Sequence, residues 1–564
     1  MGAPPHHIGA IETPQERDDE VDGDERSPLQ PQLARAPDEK ESGLFYNLKA
    51  AFGFELLMTL AVSQHLTKGF INSFVGAGKQ YVFQEYAVPA PQVAVFSGVI
   101  QLPWAIKPVL GVLSDLVPIF GYAKGPYLVL AGLVGCISLA VLGTCQRSLT
   151  LSNVVLLLFC VSLFVSTVDL LTEAAYAGVL RQNPVHGPRL MSYVWGGMTI
   201  AGVFATLGSG WILSHKDRGL GSPWLLYSIA SGPAAIIIFP AVANWLGEEY
   251  LSADAIRARR QKIFSQKETL FLCFIMLLAT LTLLYTGMQY GPGVNAIVSV
   301  VVLVVVLVSF STLLNPIIAK VNAFSLIQTS LSLNIGAAGF YFAMDSPEVY
   351  PDGPHFSRQF YNIVLPLAAS FFTIVGIWLY QTYSSDIKYT TMTIAGNVVM
   401  AGLSMLDVCF YARLNKRWGV DDHVMILGTS AFETTLQSWL WMPCVVILAQ
   451  MCPRGMEATM YALLAGCHNL GNTISSNFGA VLMIHLGVKP HGDEGGGPDT
   501  EYFKNLWKAS MIASLLPMIT IALVPWMIPA KRQVDPILPR EDMPATEGSW
   551  FRTRFMQDEA VQEL

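Results

Sequence analysis

Lys107, Asp169, Glu173 and Glu433 are ionisable side chains set inside long apolar stretches of this 564-residue sequence. Each such group costs roughly 2.5–3.5 kcal/mol to place in hydrocarbon on insertion scales, so it needs a partner or a wet cavity. Lys107 lies in Gln101-Leu102-Pro103-Trp104-Ala105-Ile106-Lys107-Pro108, where two prolines should kink the helix and free backbone carbonyls. It is placed to hold a substrate anion or a carboxylate partner; the alternative is a lysine snorkelling to the interface. Asp169 and Glu173 are four apart and share a helix face, so one should bind a proton or a cation should sit between them. That suits proton coupling or an ion pair with Lys107, with a purely structural salt bridge as the alternative. Glu433, Gln437 and Trp441 form another stripe at i, i+4 and i+8. An acid, an amide and an indole there fit a flat, hydrogen-bonding heterocycle, or else ordinary packing. His65, Lys68 and Asn72 are spaced to share one face of a cavity-lining helix, although a lone histidine is more often structural. Asp115 and Asp386 close helices beside loops carrying Lys124 and Lys388. Charge pairs there would latch one side shut in one state and break in another, or simply cap the helices.

The elements that must position these groups are membrane spans. The chain is 52% hydrophobic and 13% charged, about half the charge of an ordinary soluble domain. Stretches of about 20 apolar residues, the length that crosses a bilayer, recur near 52–76, 92–114, 126–146, 152–180, 189–214 and 223–247. Two more follow near 269–290 and 294–314, then six near 319–343, 360–382, 390–411, 424–450, 456–486 and 505–528. That makes about fourteen helices and an all-α polytopic protein. Arg257, Arg259, Arg260, Lys262 and Lys267 mark one loop as cytoplasmic, and an even count puts both termini there too. The loop with Arg413, Lys416 and Arg417 then falls on the opposite side, against the rule. Residues 1–43 are acidic and proline-containing, read as a disordered tail. The eight cysteines show no metal-ligand spacing and are expected to be free, buried thiols. Neither HExxH nor GxSxG occurs within a span, so a carrier is expected rather than an enzyme, with no catalytic residue; no cofactor, metal or nucleic-acid partner is expected either.

An internal repeat organises the spans. Gly187-Pro188-Arg189-Leu190-Met191-Ser192-Tyr193 is echoed by Gly455-Met456-Glu457-Ala458-Thr459-Met460-Tyr461, and Ser114-Asp115 by Ser385-Asp386. The expected organisation is a tail over 1–43, a six-helix half over 44–250, a basic loop over 251–268, two additional helices over 269–315, a second half over 316–530 and a cytoplasmic tail over 531–564. Arg189 and Glu457, at equivalent turns, join the gating candidates.

Pro103-Trp104-Ala105-Ile106-Lys107-Pro108, Gly111, Ser114-Asp115, Pro118-Ile119-Phe120-Gly121-Tyr122 and Pro126-Tyr127 together resemble the signature of the folate–biopterin transporter family. Asp169-Leu170-Leu171-Thr172-Glu173 with Tyr176-Ala177, Cys452-Pro453-Arg454-Gly455-Met456-Glu457-Ala458-Thr459 and His468-Asn469-Leu470-Gly471 extend the resemblance over most of residues 44–530. The tail, central helices and long loops look most like trypanosomatid members. The resemblance implies a major-facilitator layout of two six-helix halves with the substrate near the midplane. It implies import of folate or an unconjugated pterin such as biopterin, coupled to protons, at a plasma membrane. Related members look like S-adenosylmethionine carriers, so that solute stays open. Gln101, Trp104, Lys107, Asp169, Glu173, Glu433, Gln437, Trp441, His65 and Asn469 are then the candidate substrate contacts, with Asp169 and Glu173 carrying the proton. One departure is that only Lys124 follows Gly121-Tyr122, where the family tends to place more basic residues.

Overall fold

With no water in a bilayer to satisfy backbone groups, an apolar run is economical only as a helix, and every regular element among the described residues is helical. The structure is a computed structural model and describes residues 44–182, 187–218, 220–384, 386–452, 457–533, 535–540 and 543–555. The expected tail over 1–43 lies outside them. The described residues from Leu48 onward form one compact unit.

Helices α1 (Leu44–Phe52) and α2 (Phe54–Leu60) lead into a π-helix, Ala61–Ile71, then α3 (Asn72–Gly76) and α4 (Lys79–Glu85). Next come α5 (Ala90–Ala105), α6 (Lys107–Leu116), α7 (Gly125–Thr144), α8 (Leu151–Gln182), α9 (Gly187–Ser214), α10 (Pro223–Ala235) and α11 (Ile238–Val242). The basic α12 (Ala253–Phe264) precedes α13 (Lys267–Gln289) and α14 (Pro292–Leu313). The remainder holds α15 (Pro316–Leu331), α16 (Gly336–Met344), α17 (Leu365–Tyr383), α18 (Tyr389–Tyr411), α19 (Leu414–Arg417), α20 (Asp422–Gln450) and α21 (Glu457–His485). Short helices α22 (Thr500–Phe503), α23 (Leu506–Leu515), α24 (Val524–Met527) and α25 (Trp550–Phe555) close the list.

Ten helical segments among the described residues are long and apolar enough to cross a membrane. The other expected spans are also helical but more polar or interrupted. The segment near 52–76 contains the π-helix with Ser63, Gln64, His65, Thr67 and Lys68, and the one near 319–343 breaks between Leu331 and Gly336. The segment expected over 223–247 stops at Val242, where Asn244 takes a left-handed φ of 53°. The proline prediction at Lys107 holds: α5 ends at Ala105, and α6 starts at Lys107 with Pro108 in its first turn.

Helix α21 is wedged between α5 and α15, and small residues make that possible. A Cβ on Gly466 would lie 2.9 Å from the Ala105 carbonyl oxygen, and Thr473 Oγ1 donates to Gly98 O at 3.0 Å. At one end of the bundle, Arg259 and Arg260 of α12 reach Asp115 and the Leu116 carbonyl. The C-terminal segment joins the same end through Arg552 to Glu268 (2.7 Å) and the Asn315 amide to Glu547 O (2.9 Å).

The opposite end is tied across the bundle. The Ala90 amide donates to Pro490 O, Tyr341 Oη to Val88 O, and Asn362 Nδ2 to Tyr81 Oη. Arg413, the basic residue that broke the loop-charge rule, sits in a bidentate fork on Asp422 at 2.8 Å and over the Phe342 ring. Cys273 and Cys467 are buried, while Cys145 and Cys444 are exposed; this corrects the expectation of a wholly buried set.

Candidate functional site

The break between α5 and α6 turns Lys107 inward. Its Nζ lies 2.5 Å from Asp169 Oδ2 and 3.8 Å from Glu173 Oε2 on α8. A second ammonium arrives from the π-helix: Lys68 Nζ is 2.8 Å from Asp169 Oδ1, to which Gln64 Nε2 also donates at 3.1 Å. The same amide donates to Thr172 Oγ1 at 3.0 Å. Asp169, 1% exposed, is thus saturated by two lysines and an amide, whereas Glu173 is 31% exposed and, among the described residues, has only the long contact to Lys107. Two cations and two carboxyls compensate one another here, which is what allows four ionisable groups to occupy a span. Trp104 floors the cluster, with Lys107 Nζ 4.7 Å and Lys68 Nζ 5.9 Å from its ring centroid.

The π-helix explains a departure from the expected spacing. Its i→i+5 bonding widens the turn, so Gln64 and Lys68 face Asp169 while His65 faces α9. His65 Nε2 meets Tyr193 O at 3.0 Å, its ring packs on Tyr193 at 4.7 Å, and a Cβ on Gly197 would lie 2.2 Å from it. His65 thus packs against α9 rather than facing Asp169, and Asn72 is exposed. His65 does not share the face expected for the three.

Across α21 lies a second polar group. Trp441, 42% exposed, packs on His468 with centroids 5.3 Å apart, and His468 Nδ1 is within 3.2 Å of Ser325 Oγ and 3.1 Å of Thr329 Oγ1. Gln328 Nε2 donates to Asn397 Oδ1 at 2.6 Å beside it. Asn469, next in sequence to His468, donates to Trp104 O at 3.2 Å and so connects the two groups. Gln101 and Gln437 are exposed. Glu433 accepts from Ser404 Oγ at 2.9 Å and lies in hydrogen-bonding contact with Asp407 on α18. Sequence reasoning missed Asp407, Gln64 and Gln328; the rule that singled out Asp169, an ionisable group inside a span, would have found the first.

The gating pairs are partly rewritten. Asp115 pairs with Arg259 at 3.3 Å, not with Lys124, whose backbone N–H donates to the Glu248 carboxylate (2.9 Å to Oε1). Burial lowers the pKa of the Lys124 ammonium. Asp386 and Lys388 are exposed and enter no ion pair among the described residues; Lys388 instead forms a backbone bridge with Arg532. Arg189 is exposed at the start of α9, while the side chain of Glu457 and residues 453–456 lie outside the described set.

Comparison with known proteins supplies the context for this geometry. The BT1 family model matches residues 68–547. A probable folate-biopterin transporter of Arabidopsis thaliana is 22% identical over 506 residues, covering 89% of this chain and 88% of the relative. The folate-biopterin transporter of Synechocystis sp. is 25% identical, covering 88% and 86%. A putative folate transporter of Plasmodium berghei is 20% identical, covering 81% and 84%. Among solved structures, a POT family transporter in complex with 5-aminolevulinic acid superposes with a TM-score of 0.56 at 13% identity, covering 84% of this chain and 97% of that one. A D-xylose–proton symporter gives 0.52 at 13%, covering 85% and 98%. At these identities the structural likeness carries the fold alone, an all-helical bundle.

Proposed function

Since the chain belongs to the BT1 family, we propose that it carries folate or an unconjugated pterin across a membrane by alternating access. The observation that carries this reading is the pairing, across Asn469, of a lysine–carboxylate cluster on Trp104 with the Trp441–His468 aromatic pair. A pteridine ring is flat and edge-polar, so it can stack on Trp441 while Gln437, Gln101 and Glu433 meet its edge. Lys107 and Lys68 attract the carboxylates of a folate tail and need only partly leave Asp169 to do so.

Proton coupling is assigned to Glu173, the less paired of the two acids. Asp169, held by two ammoniums, serves as the hub that keeps the lysines in place. The α12 end faces the cytoplasm of a plasma membrane, which puts the chain's flanking segments inside. Two six-helix halves over 44–250 and 316–530, with α13 and α14 between them, form the rocking bodies.

One observation favours a second solute. Glu433 and Asp407 touch each other and enter no ion pair among the described residues, so a sulfonium such as that of S-adenosylmethionine could dock there. Uptake of labelled biopterin in cells lacking their own carrier, competed by unlabelled folate, biopterin and S-adenosylmethionine, separates the two. Competition by the pterins alone supports the first reading, whereas uptake of labelled S-adenosylmethionine with no carrier-dependent uptake of biopterin replaces it with the second.

A further inference from the structure

At the end opposite α12, a carboxyl is buried without an ordinary partner. Asp345 follows the last residue of α16, is 0% exposed, and neither of its oxygens accepts a hydrogen bond from any donor among the described residues. What it faces is acidic. The Asp499 carboxyl is in hydrogen-bonding contact with it, and Asp493 lies close by. Asp499 is committed to its own loop, accepting the His491 and Gly492 amides at 2.8 and 2.9 Å. Asp493 accepts the Ser346 amide at 2.8 Å. The remaining titratable neighbours are His491, 3.9 Å from Asp499, His355, whose ring meets the Asp345 carbonyl oxygen, and Tyr341, whose hydroxyl is engaged by Val88 O.

Two carboxylates in contact repel; the contact becomes a hydrogen bond only if one of them carries a proton. Among the described residues no lysine or arginine pairs with Asp345, and no group of three or more His, Cys, Asp or Glu side chains is arranged to hold a metal ion. We propose that Asp345 and Asp499 are a one-proton binding site, in which a proton from the adjoining aqueous phase joins the carboxyls and clasps the 491–499 loop onto the end of α16. The clasp reaches the other half of the bundle, because Pro490 accepts the Ala90 amide at the start of α5, and Gly492 (φ 78°) fits where a Cβ would strike the Tyr341 ring. Protonation therefore favours closure of this end.

Burial and the neighbouring Asp499 raise Asp345 to about 8, against an ordinary 3.8 once the loops part. Closure then takes up one proton. Its advantage is complete below the ordinary value, falls as the pH rises through the interval, and is exhausted above about 8, a change of roughly tenfold in the closed-to-open ratio per pH unit.

The test uses the full chain in lipid nanodiscs without substrate, so its failure leaves the carrier reading standing, and the reverse. Hydrogen exchange of residues 486–499, corrected for the intrinsic pH dependence of exchange, is followed from about pH 5 to about pH 9. Protection should fall with rising pH in the native chain and stay flat and high in Asp345→Asn, which replaces the carboxyl with a neutral amide of the same shape. In parallel, the infrared carbonyl band of a protonated carboxyl should titrate away near the upper end of this range. A pH-independent native chain, an identical response in Asp345→Asn, or no titrating carboxyl band overturns the proposal.

Discussion

Lys107 Nζ and Asp169 Oδ2 are 2.5 Å apart, although 62 residues and two turns of chain separate them. The contact joins α6 to α8 at the point where α5 breaks, so this short, buried ion pair also sits beside the Trp104 floor.

Removing one member leaves a buried charge without its counterpart, a loss of about 3–5 kcal/mol in comparable pairs. Lys107→Met and Asp169→Asn should each lower thermal stability in detergent and abolish uptake. The double variant should be more stable than the sum of the two losses predicts. Strict additivity in a thermal melt series would show that the pair is not coupled.

Glu173 is the acid with a single long contact, so Glu173→Gln should keep substrate binding and flatten the pH dependence of uptake. Asp169→Asn should instead lose uptake at every pH. A normal pH profile in Glu173→Gln, measured in proteoliposomes with an imposed gradient, would remove Glu173 from the coupling step.

Close packing of the π-helix on α9 rests on Gly197, where a Cβ would lie 2.2 Å from the His65 ring. Gly197→Ala should reduce folded yield and uptake, and His65→Ala added to it should restore much of both by vacating the space. No rescue in the double variant would mean that His65 acts in transport rather than in packing.

Arg259 and Asp115 are both partly exposed, so their bond contributes on the order of 0–1 kcal/mol to stability and its effect should appear in motion instead. Arg259→Ala and Asp115→Asn should alter the uptake rate by similar factors, with the double variant no worse than either. Independent, multiplying effects on rate would dissolve the latch.

Much of this was legible in the sequence, and the misses have physical causes. The helix break at Lys107 followed from Pro103 and Pro108, and the i, i+4 acids do share Lys107. His65 was expected to share a face with Lys68 but turns toward α9, because a 3.6-residue period was assumed where the chain is π-helical. Lys124 was offered to Asp115 because it is near in sequence; the actual partner, Arg259, comes from a helix 144 residues on, which spacing does not reveal. Asp407 passed unnoticed as a single acid in an apolar run, since its relation to Glu433 exists only once α18 and α20 pack together.

Stacking on Trp441 is worth about 0.5–1.5 kcal/mol beyond area, so Trp441→Ala should raise KM for biopterin several-fold with little effect on the maximal rate. That variant serves as the control in the most direct test of the central claim, counterflow of labelled biopterin and folate into liposomes holding the purified protein. The account predicts accumulation of a labelled pterin or folate, weakened in Trp441→Ala and absent in Lys107→Met. Counterflow of S-adenosylmethionine alone, or of no solute in this panel, would contradict it.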